Sequence, residues 1–91
     1  MALQVRVPTP LRKFTDGADV IPASGSTVGE VLTGLCEKHP EFKPRLFKED
    51  GTLNRFVNVF LNDEDIRFLQ DLQTPVKDTD EISIIQAVAG G

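Results

Sequence analysis

The stretch from Ser24 to Pro40, SGSTVGEVLTGLCEKHP, is the longest uninterrupted run of helical periodicity in the chain, and it limits the fold more than any other feature. Val28, Val31, Leu32 and Leu35 fall at i, i+3, i+4 and i+7, which gathers them into one apolar stripe. Thr27 and Glu30 have the spacing of a capping box at its start, and Pro40 stops it. A helix with a single apolar stripe has to bury that stripe against something. Everything around it reads as short strands, so the spacing predicts one helix laid across one face of a sheet.

The strands are legible from alternation and turn chemistry. Leu3, Val5 and Val7 alternate with Gln4 and Arg6, which predicts a first strand over Leu3 to Pro8. Asp16-Gly17 is a tight-turn dipeptide, so a second strand at Val20-Ile21, closed by Pro22, is expected to return as a hairpin. After the helix, Glu41 to Glu49 carries Phe42, Leu46 and Phe47 at helical spacing but is broken by Pro44, so one irregular or helical turn is expected. Asp50-Gly51 marks a further turn. It leads into RFVNVFLN, with Val57, Val59 and Leu61 on one face and Phe56, Asn58 and Phe60 on the other. A polar turn at residues 62–65 precedes a short strand at Ile66 to Phe68, and Leu69 to Pro75 is expected to loop and tuck Leu72 inward. A charged turn at Lys77 to Glu81 then feeds a last β-branched strand at Ile82 to Gln86. This order predicts an α+β, β-grasp (ubiquitin-like) domain: a mixed sheet with one main helix on one face, the terminal strands paired in the middle and the other face bare. The domain is expected over residues 1–86, followed by a flexible tail over 87–91.

Size and charge exclude several functions. Ninety-one residues support one core, since a chain of this length buries only roughly 60 to 65% of its unfolded surface. A formal charge of -4, without clustered Lys and Arg, is the wrong balance for holding a phosphate backbone, so nucleic acid is not an expected partner. Neither an apolar run long enough to span a bilayer nor a secretory h-region is present in the sequence, so no membrane role and a cytoplasmic location are expected. Cys36 and His39 are the only cysteine and the only histidine. Three residues apart on a helix they are neighbours, but a thiol beside an apolar stripe and an imidazole at a helix end are ordinary structural features. No catalytic side chain, bound cofactor or metal site is expected, and the chain reads as a non-enzyme.

The chemistry is expected at the end of the sequence, AVAGG, Ala87 to Gly91. Without Cβ atoms, Gly90-Gly91 can pass through a channel too narrow for other residues, and a terminal glycine carboxylate is unhindered toward acyl activation. The dipeptide alone does not decide the matter, because two terminal glycines arise by chance in roughly 0.5% of chains, and a passive chain end is the simpler explanation.

Together with the strand and helix order, the block RFVNVFLNDEDIRF (Arg55 to Phe68) and the ending AVAGG resemble the ubiquitin-like sulfur carriers of the ThiS/MoaD family over essentially the whole chain. The likeness is strongest to the carrier of the thiocarboxylate-dependent cysteine synthase route. It implies that an E1-like enzyme uses ATP to adenylate the Gly91 carboxylate and that a sulfur donor then leaves a thiocarboxylate there. Residues Ala87, Val88, Ala89, Gly90 and Gly91 would enter the partner's active site, and with Gly91 already terminal no maturation cleavage would be needed. Further implied partners are a pyridoxal-phosphate cysteine synthase and a metalloprotease that releases cysteine. Molybdopterin or thiamin synthesis, and protein modification through the same carboxylate, are the alternatives. Phe60 and Ile85, out of phase with the core-facing residues of their strands, are the expected partner contacts if the sheet face is bare; burial by sheet twist or by the irregular segment is the other reading. The acidic turn Asp63, Glu64 and Asp65 is either a basic-partner contact or simply solvated.

Overall fold

A computed structural model describes residues 3–54 and 57–86. Five strands, β1 (Leu3–Arg6), β2 (Val20–Ala23), β3 (Val57–Leu61), β4 (Glu64–Asp65) and β5 (Glu81–Gln86), form one sheet in the order β2-β1-β5-β3-β4. The two terminal strands β1 and β5 run parallel at its centre, and the other pairs are antiparallel. A single main helix, α1 (Val28–Lys38), covers one face. This is the β-grasp fold expected from the order of elements.

The helix forms where its capping chemistry places it. Thr27 Oγ1 accepts the Glu30 N–H at 3.2 Å, and the Glu30 carboxylate reaches back to accept the Ser26 N–H at 2.8 Å. At the other end the His39 N–H closes on the Leu35 carbonyl at 2.8 Å before Pro40. Val28, Val31, Leu32 and Leu35 are all buried, as the stripe predicts. They pack on Leu3, Val5, Val59, Leu61, Ile82 and Ile84, the inward set of three strands. Each such side chain contributes about 1.5–3 kcal/mol on burial.

The helix start is also tied to the loop before β5, by Val28 N–H to Thr74 O at 2.9 Å and Val76 N–H to Ser26 O at 3.0 Å. The backbones come so close here that a Cβ on Gly29 would lie 3.0 Å from the Leu72 carbonyl oxygen. Leu72 is half-buried, as expected of the tucked loop, which also contains a 3-10 turn at Asp71–Gln73.

Several local expectations need correction. β1 ends at Arg6, and the β1–β2 connection is no tight hairpin: a 3-10 segment, Thr9–Thr15, intervenes, built on Pro10 and closed by Asp16 at φ 55. Asp16-Gly17 is therefore the end of that segment, with the buried Thr15 hydroxyl donating to Ala18 O at 2.8 Å. β2 runs through Pro22 to Ala23, which an edge strand tolerates because proline's missing N–H can face away from the ladder. The expected turn after α1 is a 3-10 turn, Pro40–Phe42, followed by a four-residue helix α2, Lys43–Leu46. Pro44 does not break α2 but sits in its first turn, where its missing N–H has no partner to lose. Phe42 and Leu46 are buried by this segment.

The expected strand at Ile66 to Phe68 is instead a 3-10 turn. The strand lies just before it, at Glu64–Asp65, because Asp65 Oδ1 accepts the Arg67 N–H at 2.9 Å and turns the chain away from the sheet.

Candidate functional site: the open sheet face and the end of the central strand

Alternation along β1, β3 and β5 puts Gln4, Arg6, Asn58, Phe60, Ser83 and Ile85 on the face that α1 does not cover. Ile85 is 46% exposed and Phe60 is half-buried. Asn58 stands opposite Ile85, and Phe60 opposite Ser83. Phe60 and Ile85 are therefore diagonal neighbours on one face, within reach of each other for an aromatic side chain. Both side chains thus share one face, as their alternation in sequence predicts.

Two guanidinium groups frame this apolar island, and each is held by a carboxylate. Arg6 Nε lies 3.2 Å from Glu81 Oε1, an exposed pair. On the other side Arg67 grips Asp65, with Nη2 to Oδ2 at 2.7 Å and Nε 3.2 Å from both oxygens, while Nη2 also donates to Asn58 Oδ1 at 2.9 Å. The Asp65 side chain is 9% exposed. The Arg67 side-chain hydrogen bond, then its backbone N–H and its charge, hold the Asp65 carboxyl below the usual carboxylate range against the desolvation that pushes it up.

The acidic turn is a structural splice. Asn62 and Asp63 both have positive φ, 51° and 78°, as a two-residue hairpin loop between right-twisted strands requires. The Asn62 amide donates to Asp80 Oδ1 at 2.8 Å and accepts the Glu81 N–H at 2.9 Å, and Asp80 Oδ2 accepts the Lys77 N–H at 2.8 Å. Asp80 is consequently shifted below its ordinary range, first by Asn62 and then by the Lys77 N–H. Asp63 and Glu64 stay exposed, whereas Asp65 belongs to the Arg67 clamp.

Cys36 is half-buried, and burial pushes its thiol pKa up, with the Lys43 charge acting more weakly in the opposite direction. A raised thiol pKa lowers the thiolate fraction, the reverse of what a nucleophile needs. The His39 ring packs edge-on against Phe42 at 5.7 Å. Among the described residues no group of three or more His, Cys, Asp or Glu side chains is placed to hold a metal ion, and no helix is long and apolar enough to cross a membrane.

One exposed residue escaped the sequence reading. Phe68 is 85% exposed, beside Leu69 at 38%. An assignment of Ile66 to Phe68 as a strand concealed it; the Asn-Asp turn followed so soon by the capping Asp65 was the signal that this strand is short.

β5 occupies the centre of the sheet, held by β1 on one side and β3 on the other, down to Gln86 opposite Val57. The tail residues Ala87, Val88, Ala89, Gly90 and Gly91 lie outside the described residues. The sequence matches the ThiS family over residues 5–91. The chain belongs to that family. It is 42% identical over 93 residues to the sulfur carrier protein CysO of Mycobacterium tuberculosis, with the whole of both chains covered. A chain of the crystal structure of the Amycolatopsis orientalis BexX/CysO complex superposes on this ThiS-family chain with a TM-score of 0.90 at 46% identity, covering 99% of this chain and 100% of that one. Small archaeal modifier protein 3 of Haloferax volcanii is 36% identical over 66 residues, 72% of this chain and 71% of its own.

Proposed function

We propose that this chain is a sulfur carrier that works through the Gly91 carboxylate. The observation that carries the reading is that the likeness to carriers extends through Gly90-Gly91, since the family match runs to residue 91. The chemistry is one of activation by partners. An E1-like enzyme joins the Gly91 carboxylate to the α-phosphate of ATP with loss of pyrophosphate. A sulfur donor displaces AMP, and the carboxylate becomes a thiocarboxylate. Converting a carboxylate oxygen into part of a good leaving group is what makes this substitution feasible, and the product is a tethered sulfur nucleophile in place of free sulfide.

The strong likeness to CysO supports cysteine synthesis as the destination. There the thiocarboxylate sulfur bonds to the β-carbon of an activated serine derivative held by a pyridoxal-phosphate enzyme, and the activated side-chain oxygen leaves that carbon with its activating group. An S-to-N acyl shift converts the thioester to an amide, and a metalloprotease hydrolyses that amide to free cysteine and the Gly91 carboxylate. No cofactor is assigned to the carrier itself; ATP is consumed by its partner. Phe60 and Ile85 form the apolar island by which these partners hold the carrier.

The similarity to a small archaeal modifier protein favours a second reading, in which the same activated carboxylate is transferred to lysines. Mass spectrometry of the protein from its own cells separates the two: one sulfur in place of one oxygen marks the carrier, and a ladder of conjugates marks the modifier. The direct test is pyrophosphate exchange with the cognate adenylating enzyme. Deleting Gly91 withdraws the carboxylate by about 3.3–3.6 Å, out of line with the α-phosphate, and exchange is expected to cease with the thermal melt unchanged. Appending a residue after Gly91 should have the same effect, and Gly90→Val should fail because a β-branched side chain does not fit a glycine-shaped channel. Full exchange activity in the Gly91 deletion would refute the carrier reading.

A further inference from the structure

Among the described residues, cations gather on two elements beyond the end of β1, the segment Thr9–Thr15 and α2. β1 runs parallel to β5 with Arg6 opposite Ser83, so the chain that leaves β1 emerges at the same end of the sheet as Gln86. The 3-10 segment Thr9–Thr15 is that emerging chain, and it packs against the segment that follows α1 through Phe14 and Phe42, whose rings meet edge-on at 5.9 Å. Two cations from these separate elements converge on one aromatic ring: Lys13 Nζ lies 5.3 Å and Arg45 Cζ 5.1 Å from the Phe14 centroid. Lys43, on α2 with Arg45, is also exposed.

None of Lys13, Lys43 and Arg45 has a carboxylate within 4.0 Å among the described residues, although Asp16, Asp19, Glu37 and Glu41 lie on the same or adjoining elements. At the opposite end of β5 the balance is reversed. There Asp63, Glu64, Asp78 and Asp80 gather around the β3–β4 turn and the start of β5, with Lys77 as the nearby cation. Among the described residues β5 thus has an acidic cluster at its start and the Lys13–Phe14–Arg45 cluster toward its far end. Two like charges brought onto one ring repel each other and gain from a counter-charge, and a cation over an aromatic face holds a defined position instead of sweeping through solvent.

We propose that the Lys13–Phe14–Arg45 cluster, with Lys43, is a docking surface for an acidic patch on the enzyme that acts on the tail, beside the entrance through which the tail passes. This rests on the carrier reading and adds to it the charge of the partner's rim. The cluster orients the encounter so that the end bearing Gln86 approaches first and the acidic end points away. Electrostatic steering of this kind acts on the association rate and is screened by salt.

The test is stopped-flow association of the full chain with its cognate adenylating enzyme over a range of salt concentration, with pyrophosphate exchange measured in parallel. Lys13→Glu with Arg45→Glu is expected to lower the association rate at low salt by about 10-fold or more and to flatten its salt dependence. Lys13→Gln with Arg45→Gln should lie between that variant and the wild type, and provides the measurement if charge reversal disturbs the fold in a thermal melt. Lys77→Glu, at the opposite end, should leave the rate unchanged. Wild-type rates and salt dependence in both double variants would overturn the docking surface while exchange activity leaves the carrier reading standing. Absence of exchange in the wild type would instead remove the reading on which the surface rests.

Discussion

The two faces of the sheet are built from the same three strands, yet they differ in what they bury. On the helix side Leu3, Val5, Val59, Ile82 and Ile84 are all within 2% of complete burial. On the other side Gln4, Arg6, Asn58 and Ser83 surround an island of two apolar residues, and Ile85, the chain neighbour of Ile84, is 46% exposed. Adjacent isoleucines of identical chemistry thus have opposite environments because the side-chain period of a strand is two. The helix-covered face holds the fold together, whereas the open face carries the Arg6–Glu81 and Arg67–Asp65 ion pairs and leaves Ile85 partly exposed. Substitutions that respect or reverse this phase measure how far stability and association are separated.

The largest effect is expected at Ile84. Ile84→Ala empties a site 2% exposed beneath α1 and should cost about 2–5 kcal/mol in chemical denaturation, a large fraction of the stability of a small domain. A loss below about 1 kcal/mol would mean that the helix-covered face is not the core. Next in size is Gly29→Ala. The added methyl would stand 3.0 Å from Leu72 O and 3.3 Å from Leu72 Cβ, so the loop between Leu69 and Pro75 must move and strain its hydrogen bonds to the helix start. Overpacking of this kind costs about 1–3 kcal/mol. The same helix offers an internal control in Gly34, where an added Cβ meets nothing within 4 Å. Gly34→Ala should therefore stabilise by about 0.5–1 kcal/mol, because alanine loses less backbone entropy on forming a helix.

The pattern of what could be read from sequence follows the same division. Burial against a regular partner leaves a periodic trace, so the α1 stripe, its Thr27–Glu30 cap and the phase of Val57, Val59 and Leu61 were legible, and with them the topology. Segments whose conformation is decided by one hydrogen bond were not. Ile66 to Phe68 looks like a strand by composition, yet a single Asp65 carboxylate turns it into a 3-10 turn. Asp16-Gly17 has the composition of a hairpin turn, and nothing local reveals that a 3-10 segment from Thr9 to Thr15 runs ahead of it. The tail from Ala87 to Gly91 stands out in the sequence only through residue type and family resemblance together, and the cation cluster on Phe14 does not stand out at all, because Lys13 and Arg45 come from elements far apart in sequence.

Charge sharpens the comparison at the edge of the open face. Asp65 has a folded pKa below its unfolded value of about 3.9, so its stabilisation is present above that value and lost as pH falls through the folded pKa. Asp80 has the same sign. The melting temperature should therefore be nearly flat between about pH 7 and 5 and decline below about pH 4, and Asp65→Asn should remove part of that decline. An acid profile unchanged in Asp65→Asn would show that the Arg67 clamp carries no net stability. The inward face, without titratable groups, contributes nothing to this dependence.

The smallest effect on stability is expected at Ile85, where the effect on association should be greatest. Ile85→Ala removes a side chain already 46% exposed, so its loss of burial on folding is a fraction of that at Ile84, below about 1 kcal/mol. In a complex the account changes, because the same side chain passes from water into contact, and central apolar anchors each cost about 2 kcal/mol or more when truncated. Phe60→Ala should behave in the same direction with a larger folding cost, since that ring is half-buried already at a position diagonal to Ile85. Calorimetric titration of each variant into the proposed adenylating partner, beside a denaturant series on the variant alone, gives both quantities. A ratio of association loss to folding loss well above one at Ile85, and well below one at Ile84, is what two faces with separate duties require. Equal ratios at the two positions would mean that the open face is only an unfinished core, and the partner would then have to be sought at the exposed Phe68 instead.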